Sequence, residues 1–255
     1  GIQLGKHKRD MIYSRIVRRI RSINLQTFSE YCDYLKSHQN EEMTNFINAI
    51  TTNLTSFFRE EHHFDFLNDT VIPEIKSKNA VSKKLRVWSA GCSTGEEPYS
   101  LAMTFHSGFS DASGWDIKIL ATDLDTNVVL HGKTGVYVSD RVDGLPASLL
   151  KKNFNEVAPA SGRGRAYEMS AHLKRYITFN RLNLLGDWPM KGKFDVIFCR
   201  NVVIYFNKDT QRILFDRYAD MLKPNGYLFI GHSETLHGVT RRFESLGRTI
   251  YRKIS

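Results

Sequence analysis

The sequence predicts an α/β fold: a doubly wound, mostly parallel sheet preceded by a small all-helical segment. Three observations predict it. Five short apolar runs fall at 85–90, 118–123, 176–179, 194–199 and 226–231, without strict alternation, as in strands buried on both faces. Helical patterns lie between most of them, the arrangement that gives parallel strands with crossover helices. The runs end in glycine or polar residues, and the carboxyl ends of the strands are where an open α/β sheet holds its ligand.

Taken in order, residues 1–73 read as a helical domain. Helices are expected near 6–22, 28–37, 42–51 and 60–71, with no strand among them. Residues 74–84 are polar and charged and read as a linker. The α/β domain then occupies 85–255. Its first run, Leu85-Arg86-Val87-Trp88-Ser89-Ala90, opens into Gly91-Cys92-Ser93-Thr94-Gly95-Glu96-Glu97 and a helix carrying Pro98 in its first turn. The second ends at Asp123, 28 residues after Gly95. The third is followed by Asn183-Leu184-Leu185, the fourth by Arg200-Asn201 and the fifth by His232-Ser233-Glu234. A helix over 208–222 is stopped by Lys223-Pro224-Asn225-Gly226. About 50 residues separate Asp123 from the third run, more than one helix needs, so 140–174 reads as an insertion. It contains the turn signal Ser161-Gly162-Arg163-Gly164-Arg165.

The loop after the first run carries the chemistry. Two glycines let the backbone turn sharply and approach a ligand. No third glycine stands at dinucleotide spacing, and no Lys-Ser/Thr pair completes a phosphate loop. The loop ends in two carboxylates, which repel a pyrophosphate and suit a cationic ligand. S-adenosylmethionine, with its sulfonium and ammonium and no phosphate, fits that description. Asp123 either hydrogen-bonds ribose hydroxyls from the second strand end or caps the next helix. Glu96 reads as a helix-start residue favoured by the dipole.

Composition bounds the classes. The chain has 255 residues, 41% hydrophobic and 25% charged, enough for a substantial core in one large or two small domains. No apolar run approaches membrane-spanning length, and nothing resembles a cleavable signal, so no membrane insertion is expected. The chain opens on Gly within a pattern, so residues are expected to precede it. Cys32, Cys92 and Cys199 are odd in number and widely spaced, which points to a reducing compartment. The nine histidines show no metal spacing, and His62-His63 reads as a surface pair; no metal is expected.

The net charge of +9 is uneven. Residues 1–25 hold seven basic residues and one acid, and 26–80 hold four against nine. On the first helix Lys8, Arg15, Arg18 and Arg19 share a face within about 100°, opposite Ile12, Ile16 and Ile20. The stripe reads as a solvated face, a nucleic-acid patch or a surface for an acidic partner. Against a nucleic-acid methyltransferase, the fourth strand ends in Arg200-Asn201-Val202-Val203-Ile204-Tyr205 rather than Asn/Asp-Pro-Pro-aromatic.

Four strings, in this order, cover nearly the whole chain: Asn53-Leu54-Thr55-Ser56-Phe57-Phe58-Arg59-Glu60, the loop from Val87 to Ser100, Phe198-Cys199-Arg200-Asn201-Val202-Val203-Ile204-Tyr205-Phe206, and Leu222-Lys223-Pro224-Asn225-Gly226-Tyr227. With them the sequence resembles the CheR family of chemotaxis receptor methyltransferases. These are S-adenosylmethionine-dependent protein-glutamate O-methyltransferases. The resemblance implies a Rossmann-like methyltransferase sheet, a helical N-terminal domain and a small inserted β-subdomain at 140–174. It implies cytoplasmic work on the cytoplasmic domain of methyl-accepting chemoreceptors, with S-adenosylhomocysteine as product and neither metal nor nucleic acid involved. In some members the insertion docks a short receptor C-terminal peptide by strand addition, which is left open for this chain.

Residue by residue, the resemblance implies that Asn53, Thr55 and Arg59 close the cofactor pocket, with Arg59 also orienting the glutamate. Ala90 and Gly91 allow close approach, Glu97 faces the methionine end and Asp123 takes the ribose. Asn183 and Leu184 lie against the adenine. Arg200 and Asn201 stand beside the reacting centre, and Tyr205 hydrogen-bonds near the transferred methyl. Arg15, Arg18 and Arg19 meet the acidic receptor helices.

Overall fold

The structure, a computed structural model, describes residues 9–110, 113–159, 162 and 164–254. Three helices come first: α1 (Arg9–Ser22), α2 (Phe28–Ser37) and α3 (Gln39–Ile50). Thr27 and Glu30 form a reciprocal capping box that starts α2. The three helices pack through Ile16, Ile20 and Tyr31, with Ile12, Phe46 and Ile50 around them. Lys8 of the basic stripe lies outside the described residues.

The remaining elements are α4 (His62–Phe66), a π-helical turn (Leu67–Val71), α5 (Ile72–Lys78), β1 (Lys84–Ala90), α6 (Glu96–Gly108), β2 (Asp116–Asp123) and α7 (Thr126–Thr134). The insertion follows as β3 (Val136–Val138), α8 (Ser139–Val142), α9 (Ala147–Asn153), β4 (Phe154–Val157), β5 (Ala166–Met169) and α10 (Ala171–Lys174). The chain closes with β6 (Ile177–Arg181), β7 (Phe194–Cys199), α11 (Lys208–Met221), β8 (Leu222–Ile230), β9 (Phe243–Gly247) and β10 (Ile250–Lys253).

The main sheet has seven strands in the order β6-β2-β1-β7-β8-β10-β9. The first five are mutually parallel, and β10 and β9 add antiparallel pairs at one edge. All five expected strands are therefore present. The antiparallel pair was not legible, because Phe243-Glu244-Ser245-Leu246-Gly247 is mostly exposed and lacks a buried apolar run. The order reverses beside β1, whose neighbours are β2 and β7, so the carboxyl ends of these strands open a crevice.

A second sheet, β3-β5-β4, is antiparallel and formed by the insertion. It begins at Val136, slightly before the expected 140. Part of the glycine-arginine turn signal lies outside the described residues.

The helical domain is smaller than the sequence indicated. Phe64, Leu67, Val71, Ile72 and Ile75 belong to the core of the sheet, with Leu85, Leu101, Phe105 and Phe198, and not to the cluster of the first three helices. Residues 62–78 are therefore a layer on the sheet. The expected boundary at 73 moves back to the extended stretch 51–56, and the expected linker 74–84 is the end of α5 plus a turn. Helical periodicity marks an apolar face without saying which neighbour covers it. No helix among the described residues is long and apolar enough to cross a membrane.

Candidate active site

One cleft at the carboxyl ends of β1, β2 and β7 collects residues from five separate stretches of chain. Asn53, Thr55 and Arg59 come from the extended stretch, Gly91 and Glu97 from the glycine loop, and Asp123 from the end of β2. Asn183 and Leu184 come from the loop after β6, and Arg200, Asn201 and Tyr205 from the loop after β7. Of the residues expected to close or line the cofactor pocket, Ala90 alone is outside it. Ala90 is fully buried and packs in the apolar cluster that also holds Leu182 and Leu184.

The glycine loop is folded back over β2. Gly91 and Cys92 both donate backbone N–H to the Thr122 carbonyl, at 2.8 and 2.9 Å. Gly91 has φ +91°, and a Cβ there would stand 2.3 Å from a Val202 methyl, so only glycine fits. The Asp123 carboxylate accepts the Ser93 N–H at 2.9 Å and the Asp125 N–H at 3.1 Å. Burial pushes this carboxyl above the ordinary Asp value, and the backbone N–H groups oppose the shift. Cys92 is buried and its thiol is pushed well up, mainly by burial and further by Asp123, so it is no nucleophile.

Asp125 was not read from the sequence, yet it joins the two parts of the protein. It caps α7 by accepting from Asn127 N–H, and its other oxygen accepts from Thr51 Oγ1 at 2.6 Å and Asn53 Nδ2 at 2.8 Å. Asn48 adds a reciprocal pair with Thr126. Ser93 Oγ donates to the Asn53 carbonyl at 3.1 Å, which ties the same stretch to the glycine loop. The Asn53 amide is thus a strap between domains.

Arg200 is the second knot. Its Nε donates to Glu97 Oε2 at 2.8 Å, while Ser89 Oγ donates to Glu97 Oε1 at 2.7 Å. Its Nη1 donates to the Arg59 carbonyl and lies 3.3 Å from His63 Nδ1. The guanidinium also lies over the Phe64 and Phe198 rings. The Arg59 side chain donates to the Leu54 carbonyl at 2.9 Å, and no carboxylate pairs with it among the described residues, so its remaining N–H groups are available to a ligand.

Glu60, His62 and His63 bring three ligand-type atoms within 4.8 Å of one another. Each has internal partners. His63 Nδ1 faces the donor Arg200, so it accepts, and Nε2 then donates to the Arg248 carbonyl at 3.0 Å. Burial, and then the charge of Arg200, push His63 down to about 4. Burial alone would raise Glu60, but hydrogen bonds from His232 and the Arg200 charge hold it below the ordinary value. The grouping is an internal hydrogen-bond cluster with a cation in it.

Glu234 organises the loop after β7. Its buried carboxylate accepts backbone N–H from Asn201 at 3.0 Å, Val203 at 2.9 Å and Gly231 at 2.6 Å. Asn201 has φ +59°, and a Cβ on Gly231 would stand 2.5 Å from its Nδ2. The loop held in this way carries the short helical turn Val203–Tyr205, and Tyr205 lines the cleft. Asn183 folds its side chain onto the Leu185 N–H at 3.0 Å, and Leu184 is buried with its carbonyl held by Trp188 and Arg217.

The insertion reaches back to the same loop. Arg141 pairs with the fully buried Glu96, and Tyr137 donates to the Thr94 carbonyl at 2.9 Å. Glu96 is therefore a buried ion-pair partner and not simply a helix-start charge.

Arg15 and Arg18 line a shallow shelf that shares Thr51, Thr52, Asn53 and Leu54 with the cleft. Arg15 donates to the Thr51 carbonyl, and Arg18 is exposed. Arg19 turns inward instead. Its guanidinium makes a two-pronged contact with the buried carboxylate of Glu42, which Tyr31 also reaches at 2.7 Å. Helical spacing put Arg19 on the stripe but could not reveal Glu42 beneath it.

Comparison with known proteins gives the site its context. Residues 53–252 match the model described as CheR methyltransferase, SAM binding domain, and residues 1–51 match the CheR methyltransferase, all-alpha domain. The chemotaxis protein methyltransferase of Escherichia coli is 44% identical over 98% of this chain and 85% of its own length. A probable chemotaxis protein methyltransferase of Rhizobium etli is 41% identical over 99% and 94%. Chemotaxis protein methyltransferase 2 of Pseudomonas aeruginosa is 41% identical over 98% and 87%. This chain belongs to the CheR methyltransferase family. It is an S-adenosylmethionine-binding methyltransferase of the chemotaxis type. The two family segments meet at residue 52, inside the extended stretch where the two cores part. The CheR cleft is thus walled on one side by the stretch that follows the helical domain and on the other by the sheet.

The residues present fit the cofactor. The glycine cradle at Gly91 admits close backbone approach, the Asp123 carboxylate keeps acceptor capacity beyond its two backbone N–H partners, and Arg59 offers donors to a carboxylate.

Proposed function

We propose that this CheR-family enzyme forms γ-glutamyl methyl esters on the cytoplasmic domain of methyl-accepting chemoreceptors, working in the cytoplasm. One observation carries the reading. The cleft holds an acceptor suited to ribose hydroxyls and donors suited to a carboxylate, groups that S-adenosylmethionine presents, and it shares a wall with a shelf bearing Arg15 and Arg18 that suits an acidic protein segment.

The chemistry asks little of acid–base groups. A glutamate with its ordinary pKa of about 4.3 is ionised at neutral pH, so no general base is needed. S-adenosylmethionine supplies the methyl on a sulfonium and leaves as S-adenosylhomocysteine. Asp123 takes the ribose hydroxyls, Arg59 holds a carboxylate, and the stretch 53–59 excludes water from the line of attack. Glu97 and Arg200 neutralise each other and keep the floor of the cleft rigid. Charge is lost as the ester forms, so a strong ion pair to the nucleophile would slow the reaction. Tyr205, which lines the cleft, supplies a weaker, directed hydrogen bond in this reading. No metal has a task in this scheme. Strand addition of a receptor C-terminal peptide would use an edge of the small sheet, β3 or β4.

Incubation with methyl-labelled S-adenosylmethionine and receptor-bearing membranes, followed by mild alkali, tests the reading. Label released as methanol is the expected result. Alkali-stable label, or label transferred to nucleic acid, would overturn it.

A further inference from the structure

The stretch between the helical domain and α4 handles its apolar side chains unequally. Phe57 is buried, edge-on to Tyr137 and Phe154, and Phe58 packs edge-on to Phe64. Leu54, three residues before Phe57, is 77% exposed. It gives the fold almost no burial, yet its backbone is held, because the Arg59 guanidinium donates to its carbonyl at 2.9 Å. Val81 and Ile213, also exposed, stand away from the cleft; Leu185 lines it but is only 37% exposed and is not on the shelf. Leu54 lines both the cleft and the shelf that carries Arg15 and Arg18.

We propose that Leu54 is a positioning residue for the protein substrate: it packs on the apolar flank of an acidic, amphipathic segment held by Arg15 and Arg18, and so seals the incoming carboxylate from water. The inference rests on the reading above, that the substrate is a protein carboxylate. The charge of the shelf selects an acidic occupant. The exposed leucine beside it favours an occupant with an apolar face, because covering it removes apolar surface of both partners from water. Covering it also dries the mouth of the cleft, where a hydrated carboxylate is a poor nucleophile.

Leu54→Ala, Leu54→Met and Leu54→Asp are compared with wild type in three measurements. These are cofactor affinity by calorimetry, methyl transfer to the cytoplasmic fragment of a chemoreceptor, and binding of that fragment by fluorescence anisotropy. All three variants should fold, since the side chain is exposed. Leu54→Ala should lower kcat/KM for the fragment about ten-fold, mostly through KM, and Leu54→Asp more, while cofactor affinity stays within about two-fold. Leu54→Met should recover most of the loss. Unchanged kcat/KM in Leu54→Asp overturns the inference and leaves the reading intact. A parallel loss of cofactor affinity also overturns it and makes Leu54 a wall of the cofactor pocket. If the wild type forms no methyl ester, the reading falls; weakened fragment binding by Leu54→Asp would still support the docking role, and unchanged binding would overturn it.

Discussion

Arg200 and Glu97, 103 positions apart in sequence, meet at 2.8 Å with both side chains buried, and the same guanidinium holds the Arg59 carbonyl. One cation thus joins the end of β7, the start of α6 and the stretch that closes the cleft. Removing one partner leaves a buried charge uncompensated. Arg200→Ala should destabilise the protein by about 3 kcal/mol, read as a shift in the urea midpoint. Arg200→Met combined with Glu97→Gln should regain much of that stability without restoring cofactor affinity. Equal affinity in the double variant would mean that the pair is scaffolding alone.

Asp123 is strained electrostatically, since burial raises its carboxyl while Ser93 and Asp125 N–H groups resist. Asp123→Asn should weaken S-adenosylmethionine by roughly 1–3 kcal/mol, the cost of leaving ribose hydroxyls without a charged acceptor. Some fold stability should be lost as well, because each carboxylate oxygen accepts a backbone N–H and the amide turns a donor toward one of them, so affinity is read on protein shown to be folded. Cofactor affinity of the wild type should drop as pH falls toward the raised carboxyl pKa, and Asp123→Asn should flatten that dependence. Calorimetry across pH checks both; an unchanged affinity would return Asp123 to a purely structural role.

His63 is neutral and enclosed, with a folded pKa near 4 against an ordinary 6.5. The unfolded chain therefore binds the proton first as pH falls. Stability should be full above about pH 6.5 and should decline as pH drops from there toward 4. The shift bounds the loss at roughly 3 kcal/mol. His63→Gln should be less stable at neutral pH but show a shallower decline over that window. Denaturant unfolding at several pH values is the measurement, and parallel curves would place the acid sensitivity elsewhere.

The glycine loop, Asp123 and the Asn-Leu-Thr and Phe-Cys-Arg-Asn strings led to one cleft because each sits at a strand end or beside it, where short motifs and topology agree. What stayed hidden were the partners that hold those motifs. Asp125, Glu234 and Glu42 are acids with several donors each, and nothing in their local sequence separates them from surface carboxylates. Arg19 was misplaced for the same reason: periodicity gives a direction around the helix and not the neighbour in that direction. The domain boundary moved because α4 and α5 carry an amphipathic pattern that would serve equally for a helical bundle or a sheet cover.

The last prediction concerns Arg141 and Glu96, one of the contacts, with Tyr137 on the Thr94 carbonyl, by which the insertion reaches the cofactor loop. Glu96 is fully buried, and Arg141 is its cationic partner, with Thr94 Oγ1 donating to the other oxygen at 2.6 Å. Arg141 itself is about one-third exposed, so water offsets part of its loss. Arg141→Ala should therefore destabilise the protein by only about 1–2 kcal/mol. Its larger effect should fall on the loop between Thr94 and Glu97, whose Gly95 holds φ +100° with no room for a Cβ. Cofactor affinity should drop about ten-fold, near 1.4 kcal/mol. Arg141→Met with Glu96→Gln should restore stability, because neither charge is then left alone. If affinity recovers with stability in the double variant, the pair serves only to satisfy a buried carboxylate. If affinity stays low, the insertion sets the shape of the cofactor loop, and anything docked on its edge strands has a physical route to the active site.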